Sequence, residues 1–118
     1  MTFKCGLKKL KSKIHIDLVF KKGEVIQFGT LVMHFIHPLE VKETHIGVGV
    51  SKKFLLMAYQ RNRIKRQIRA IIKKQEEKLL HKLSPGLYMV LYKGKYGVAS
   101  ESLSLDFEGL IKHFITYD

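Results

Sequence analysis

Apolar residues between positions 14 and 20 recur at three- and four-residue spacing, with Ile14 and Leu18 in one row and Ile16, Val19 and Phe20 in another. That spacing predicts a short first helix. Ser12 suits its N-cap and Gly23 a left-handed position just past its end. From Glu24 to His37 the residues turn β-branched and aromatic and are broken by Gly29, which predicts a hairpin of strands at about 24–28 and 30–37. Residues 38–44 read as a loop. Ile46-Gly47-Val48-Gly49-Val50-Ser51 then alternates strictly, apolar on one face and glycine or serine on the other, as a third strand does. A long helix from about Ala58 to Lys82 follows, with Ile64, Ile68, Ile71, Ile72 and Leu79 in one stripe and Lys65, Arg66, Arg69 and Lys73 on its flank. Ser84-Pro85-Gly86 stops it. Leu87 to Lys93 reads as a fourth strand, ended by a turn containing Gly94 and Gly97. The last helix is expected from about Leu105, with Ser104 as N-cap and Phe107, Leu110, Ile111 and Phe114 inward. The order α-β-β-β-α-β-α predicts an α+β fold: a two-layer α-β sandwich with a four-stranded sheet, one domain over residues 1–118.

Charge changes the picture most. Twenty-two Lys and Arg against ten Asp and Glu leave a formal net charge of +12. Such a chain repels itself when compact, and an anionic partner relieves the repulsion. Nucleic acid is the first candidate and an anionic membrane surface the second. The membrane reading is the weaker one, because the apolar stripe of the long helix is needed to cover the sheet. Cys5 is the single cysteine, so no intrachain disulfide is expected, and a reducing, cytoplasmic setting is the simpler one. The apolar runs Phe54–Ala58 and Tyr88–Tyr92 are too short to span a bilayer, and Met1 to Leu10 lacks the apolar stretch of a signal peptide. His34 and His37 form the only close histidine pair, and no metal site on the protein is expected from it.

The densest local signal is Arg61-Asn62-Arg63-Ile64-Lys65-Arg66, with Arg69 one turn on. Crowded cations repel at helical spacing and sit badly near a helix N-terminus. A phosphate backbone removes both penalties, and arginine adds bidentate reach to phosphate. The plain alternative is a solvated basic face. A stand-alone nuclease would need a carboxylate cluster or an activated nucleophile; Asp17, Asp106 and Glu108 read instead as helix-end residues.

Val-Ser-Lys-Lys at 50–53, seven residues containing Ala58, and then Arg-Asn-Arg-Ile-Lys-Arg with Arg69 resemble the signature of the bacterial ribonuclease P protein family. Leu10-Lys11-Ser12-Lys13 through Val19-Phe20-Lys21-Lys22-Gly23 is similar to that family's opening helix, and residues 46–51 and 88–93 to its third and fourth strands. The likeness runs from about residue 9 to 117. It implies an α-β sandwich with a left-handed βαβ crossover, where pattern alone favours a right-handed one. It implies a non-catalytic subunit of an endoribonuclease that removes the 5′ leader of precursor tRNA. There the RNA partner performs the cleavage with Mg2+ held by RNA and substrate, one protein serving each RNA. Arg61, Asn62, Arg63, Lys65, Arg66 and Arg69 would dock on the catalytic RNA. Ile16, Phe20, His34 and Lys52, with Lys53 at the rim, would hold the single-stranded leader. The chain differs from the family pattern at Ile16, where an aromatic is usual; over Phe54–Tyr59, which lacks a common glycine and is more apolar; and at Lys93, where arginine is frequent.

The strand alternation adds a floor to that cleft, since Gly47, Gly49 and Ser51 share one face and keep it free of bulky side chains. Phe20 can stack on an unpaired base. The plain readings are a core position for Phe20, an edge-exposed strand histidine for His34, and solvated side chains for Lys52 and Lys53. A ribosomal or general single-stranded RNA-binding protein is the alternative function, since basic α-β sandwiches serve both.

Overall fold

The computed structural model describes residues 7–50, 53, 55–94 and 100–117; Cys5, Ser51, Lys52, Phe54 and Gly97 lie outside them. Helix α1 runs Lys13–Lys22, and the Ser12 hydroxyl accepts from the His15 backbone N–H at 3.5 Å. Gly23 is not left-handed: its φ is −80°. Glycine is required there by crowding, because a Cβ would run into the Val19 carbonyl oxygen and lie 2.7 Å from that of Phe35. The helix end thus sits directly on the strand that follows its own hairpin turn.

The expected hairpin pairs β2 (Glu24–Phe28) antiparallel with β3 (Leu31–Ile36), Phe28 opposite Leu31. Gly29 turns the chain at φ +60°, a conformation that favours glycine. The turn is held from outside by Asp106, whose carboxylate accepts from the Thr30 N–H at 3.1 Å and the Thr30 hydroxyl at 2.7 Å. Asp106 is therefore not a helix-end residue. Helix α4 spans Ser100–Tyr117, which also places Ser104 inside the helix rather than at its cap. The Ser-rich stretch before Leu105 hid this start, yet Leu103 within it is fully buried. Replacing Asp106 with alanine leaves a part-buried N–H and hydroxyl without their acceptor, a loss expected at about 1–3 kcal/mol of stability. Asp106→Asn, which keeps one acceptor oxygen, should lose less. Urea denaturation reads both, and an unshifted midpoint in the alanine variant would reject the clamp.

Strand β4 (Thr44–Val50) runs parallel to β5 (Gly86–Tyr92), and β3 pairs with the other side of β5. A fifth strand was not expected. Lys8–Lys9, strand β1, lies parallel along β4 opposite His45 and Ile46, giving the order β1-β4-β5-β3-β2. Two charged residues carry no strand pattern, and backbone pairing alone makes them one. The mixed sheet is five-stranded, and its order requires a crossover from β4 to β5. That crossover holds α2 (Ala58–Lys74) and α3 (Glu76–Lys82), where the sequence suggested one helix. The break is at Gln75, with φ −107° and ψ 17°, whose N–H is shared among carbonyls at the end of α2. Leu79 remains buried beyond it, so the apolar stripe reads through the break.

Ile64, Ile68, Ile72, Leu103, Phe107, Leu110 and Phe114 pack on one sheet face, against Met33, Phe35, Ile46, Tyr88, Val90 and Tyr92. Burial, then the negative charge of Asp106, pushes the Tyr92 phenol above its ordinary value. On the opposite face α1 packs over β3 and β5, with Val19 beside Leu10 and Leu87. This partial layer covers a face that a strict two-layer sandwich leaves bare.

Candidate nucleic-acid interface

With Ile64, Ile68 and Ile72 turned to the sheet, helical spacing sends the cations of α2 outward. Asn62, Arg63, Arg66 and Arg69 are exposed, while Arg61 and Lys65 are half-buried. No acidic residue lies in the first turn to neutralise them. Arg61 differs from the rest. Its Nη1 donates to the carbonyls of Leu55 and Leu56, each at 2.8 Å, and so fastens the loop entering the helix.

The remaining cations divide between two flanks. Asn62, Arg63 and Arg66 line a shallow depression of about 460 Å3 with Tyr59 and Gln67, two residues the sequence reading did not single out. Arg69 turns the other way. Together with Lys73, Lys8, Lys9 and Lys11 it borders a groove of about 680 Å3 at the β1–β4 edge, floored by Ile46, Val48 and Ile72. The lysines of β1 were missed because they gain a place in the surface only through their pairing with β4. Lys8 also forms an ion pair with Glu43 at 3.7 Å, with both side chains close to half exposed.

On the α1 face the expected cleft residues come together in part. Phe20 is 41% exposed, so it is not a core residue. Its ring meets that of His34 edge-on, centroids 4.8 Å apart. His34 lies on β3 between Val25 and Met89, inside the sheet rather than at its edge. Burial, then the charge of Lys93, lowers its pKa from the usual 6.5, which favours the uncharged ring. In that form it offers an aromatic face and a donor–acceptor pair. Ile16 is half-buried beside Leu10 and Val19 and reaches the same groove as Gly47 and Met89. Lys53 is exposed.

The glycine face is not an empty floor. Leu10 lies over Gly47, where a Cβ would stand 2.9 Å from the Met89 sulfur, and over Gly49 a Cβ would stand 2.9 Å from Leu91 Cδ2. The missing side chains make room for those of the neighbouring strand, and the floor is a thin apolar layer of Met89 and Leu91.

The two close histidines part company. His37 packs by Phe35, Tyr88 and Phe114, on the face opposite His34. Its Nε2 lies 2.8 Å from the Tyr88 hydroxyl, which donates to the Ser84 carbonyl at 2.8 Å. Among the described residues no three His, Cys, Asp or Glu side chains gather as a metal site would need. No helix among them is long and apolar enough to cross a membrane.

The family model described as Ribonuclease P matches residues 6–114. The ribonuclease P protein component of Lactobacillus helveticus is 37% identical over 71 residues, covering 60% of this chain and 57% of that protein. That of a Pseudanabaena species is 34% identical over 83 residues, covering 70% and 68%. Among solved structures, the RNase P protein of Staphylococcus aureus superposes with a TM-score of 0.73 at 23% identity, covering 88% of this chain and 92% of that one. The RNase P protein of Thermotoga maritima gives 0.73 at 22%, covering 90% and 96%. The residues matched by the family model take in all five strands, α1 and the arginine-bearing helix, and the chain belongs to the ribonuclease P protein family.

Proposed function

We propose that the chain is the protein subunit of a ribonuclease P holoenzyme, binding the catalytic RNA through α2 and the 5′ leader of precursor tRNA in the α1 cleft. The observation that carries this is the division of its surface. An exposed arginine face lies on one side of the sheet, and a half-exposed aromatic pair, Phe20 on His34, lies on the other. The first suits a structured phosphate backbone. The second suits unpaired bases, because stacking tolerates any base.

Arg63, Arg66 and Arg69 then neutralise phosphates of the catalytic RNA, with Asn62 and Lys65 beside them. Arg61 acts chiefly by holding the loop before α2. Phe20 and His34 take leader bases, Ile16 adds apolar contact, and Lys53 meets the backbone at the rim. Gly49 keeps the neighbouring floor low, and Ser51 and Lys52 are assigned to the leader on the family resemblance alone. The described residues do not fit a resident Mg2+ site. The magnesium of the reaction is held by RNA and substrate, and the protein contributes binding and charge neutralisation. The same reading carries a left-handed β4–β5 crossover, one protein per RNA, and action in the cytoplasm away from membranes.

The protein alone should not cleave precursor tRNA. Added to a bacterial ribonuclease P RNA, it should lower the Mg2+ concentration needed for cleavage at the mature 5′ end. Titrating Mg2+ with and without protein tests this. A curve unmoved by stoichiometric protein, or robust single-site cleavage by RNA-free protein, would reject the proposal and favour a general RNA-binding role.

A further inference from the structure

The loop entering α2 displays apolar side chains that the cation face does not explain. Leu55 is 4% exposed, whereas Leu56 is 80%, Met57 54% and Tyr59 61% exposed. Arg61 anchors the backbone at this division. Its Nη1 donates to the Leu55 and Leu56 carbonyls, each at 2.8 Å, and so pins the backbone at the point where one leucine is buried and the next exposed. The backbone that carries the outward set is thus fastened to the start of α2.

Tyr59 stands three, four and seven residues before Asn62, Arg63 and Arg66, so all four share one helix face, and with Gln67 they line one depression. An aromatic ring, flanking guanidinium groups and two side-chain amides form a set that matches an unpaired nucleotide. The ring takes the base face, the arginines take its phosphates, and the amides can meet the base edge. A second copy of this chain fits poorly, because it would bring another +12 against the same arginines. An apolar protein partner would leave Arg63 and Arg66 buried without counter-charge.

We infer that Tyr59, flanked by Leu56 and Met57, is a stacking site for an unpaired base of the RNA that α2 docks on. This rests on the proposed function and adds to it a neutral, base-directed contact. A neutral contact has a signature that a phosphate contact lacks: it contributes affinity without releasing counterions, so its loss leaves the salt dependence unchanged.

The test measures binding of the full chain to a bacterial ribonuclease P RNA over a salt series, with Tyr59→Ala, Tyr59→Leu and Tyr59→Phe. Tyr59→Ala should weaken binding about tenfold or more at every salt concentration, with the log–log slope of the unsubstituted chain. Tyr59→Phe should bind nearly as tightly as tyrosine, and Tyr59→Leu should remain weak. Melting temperatures should stay together, since the ring is mostly exposed. Binding by Tyr59→Ala within about twofold of tyrosine, judged against that stacking range, overturns the inference. So does full recovery in Tyr59→Leu, which would mean simple apolar contact, or self-association of the free chain that Tyr59→Ala abolishes. Failure of the unsubstituted chain to bind the RNA overturns the proposed function first, before any variant is compared.

Discussion

A chain with Arg63→Ala and Arg66→Ala is expected to bind ribonuclease P RNA far more weakly while folding normally. Each arginine that meets a phosphate contributes a charge-assisted hydrogen bond, typically about 1.5–3 kcal/mol. Losing both, where the two contributions add, should cost about a hundred- to ten-thousand-fold in affinity at moderate salt. The slope of log affinity against log salt should also flatten by about one unit per lost contact. Both side chains are exposed, off the Ile64–Ile68–Ile72 stripe, so the circular dichroism spectrum should be unchanged. Unaltered affinity and slope with a native spectrum would remove the docking assignment. Arg61 does not belong in this test, because its removal would free the Leu55 and Leu56 carbonyls and move the loop.

Phe20→Ala separates the second surface from the first. Precursor tRNA should lose about 1–3 kcal/mol of affinity for the holoenzyme, because only the precursor has a leader to stack. Mature tRNA and the catalytic RNA should bind as before. A buried phenylalanine would instead cost about 3–5 kcal/mol of stability and weaken every activity alike. At 41% exposure Phe20 should show only a small fall in melting temperature. A large fall, with the precursor-to-mature ratio unmoved, would return Phe20 to the core and leave the cleft without its main residue.

What could be read from the sequence followed from periodicity. β4 and the inward face of α2 each bury one side, and a buried side writes its period into the chain; β3 and β5 are covered on both faces and showed instead as short apolar runs between turn residues. The features that escaped depend on pairs distant in sequence. Asp106 looked like a helix-end residue because its partner, Thr30, lies 76 positions away. Lys8–Lys9 became a strand only by lying along β4. Gly23 was placed correctly for a reason that does not apply, since what excludes a side chain there is the pair of carbonyls of Val19 in α1 and Phe35 in β3. In the site, the motif grouped six polar residues by adjacency, and the helix then distributed them by angle. Arg61 faces its own loop, Arg63 and Arg66 one flank, and Arg69 the other. Tyr59 escaped because a single aromatic before a basic run reads as core until its exposure is known.

The two lysines of β1 bear on more than the groove they border. They cap only the first part of β4, and among the described residues Val48–Val50 have no strand on that side. An open sheet edge can template pairing with another chain, and lysines beside it discourage approach. Repulsion of this kind acts at a distance only while it is unscreened, and at about 1 M salt the screening length shrinks to about 3 Å. A large polyanion lying over Lys8 and Lys9 would cancel their charge but shield the edge by its bulk. Small ions cancel the charge and shield nothing. Concentrated salt without RNA is therefore the condition in which this sheet is most open to extension by a neighbour.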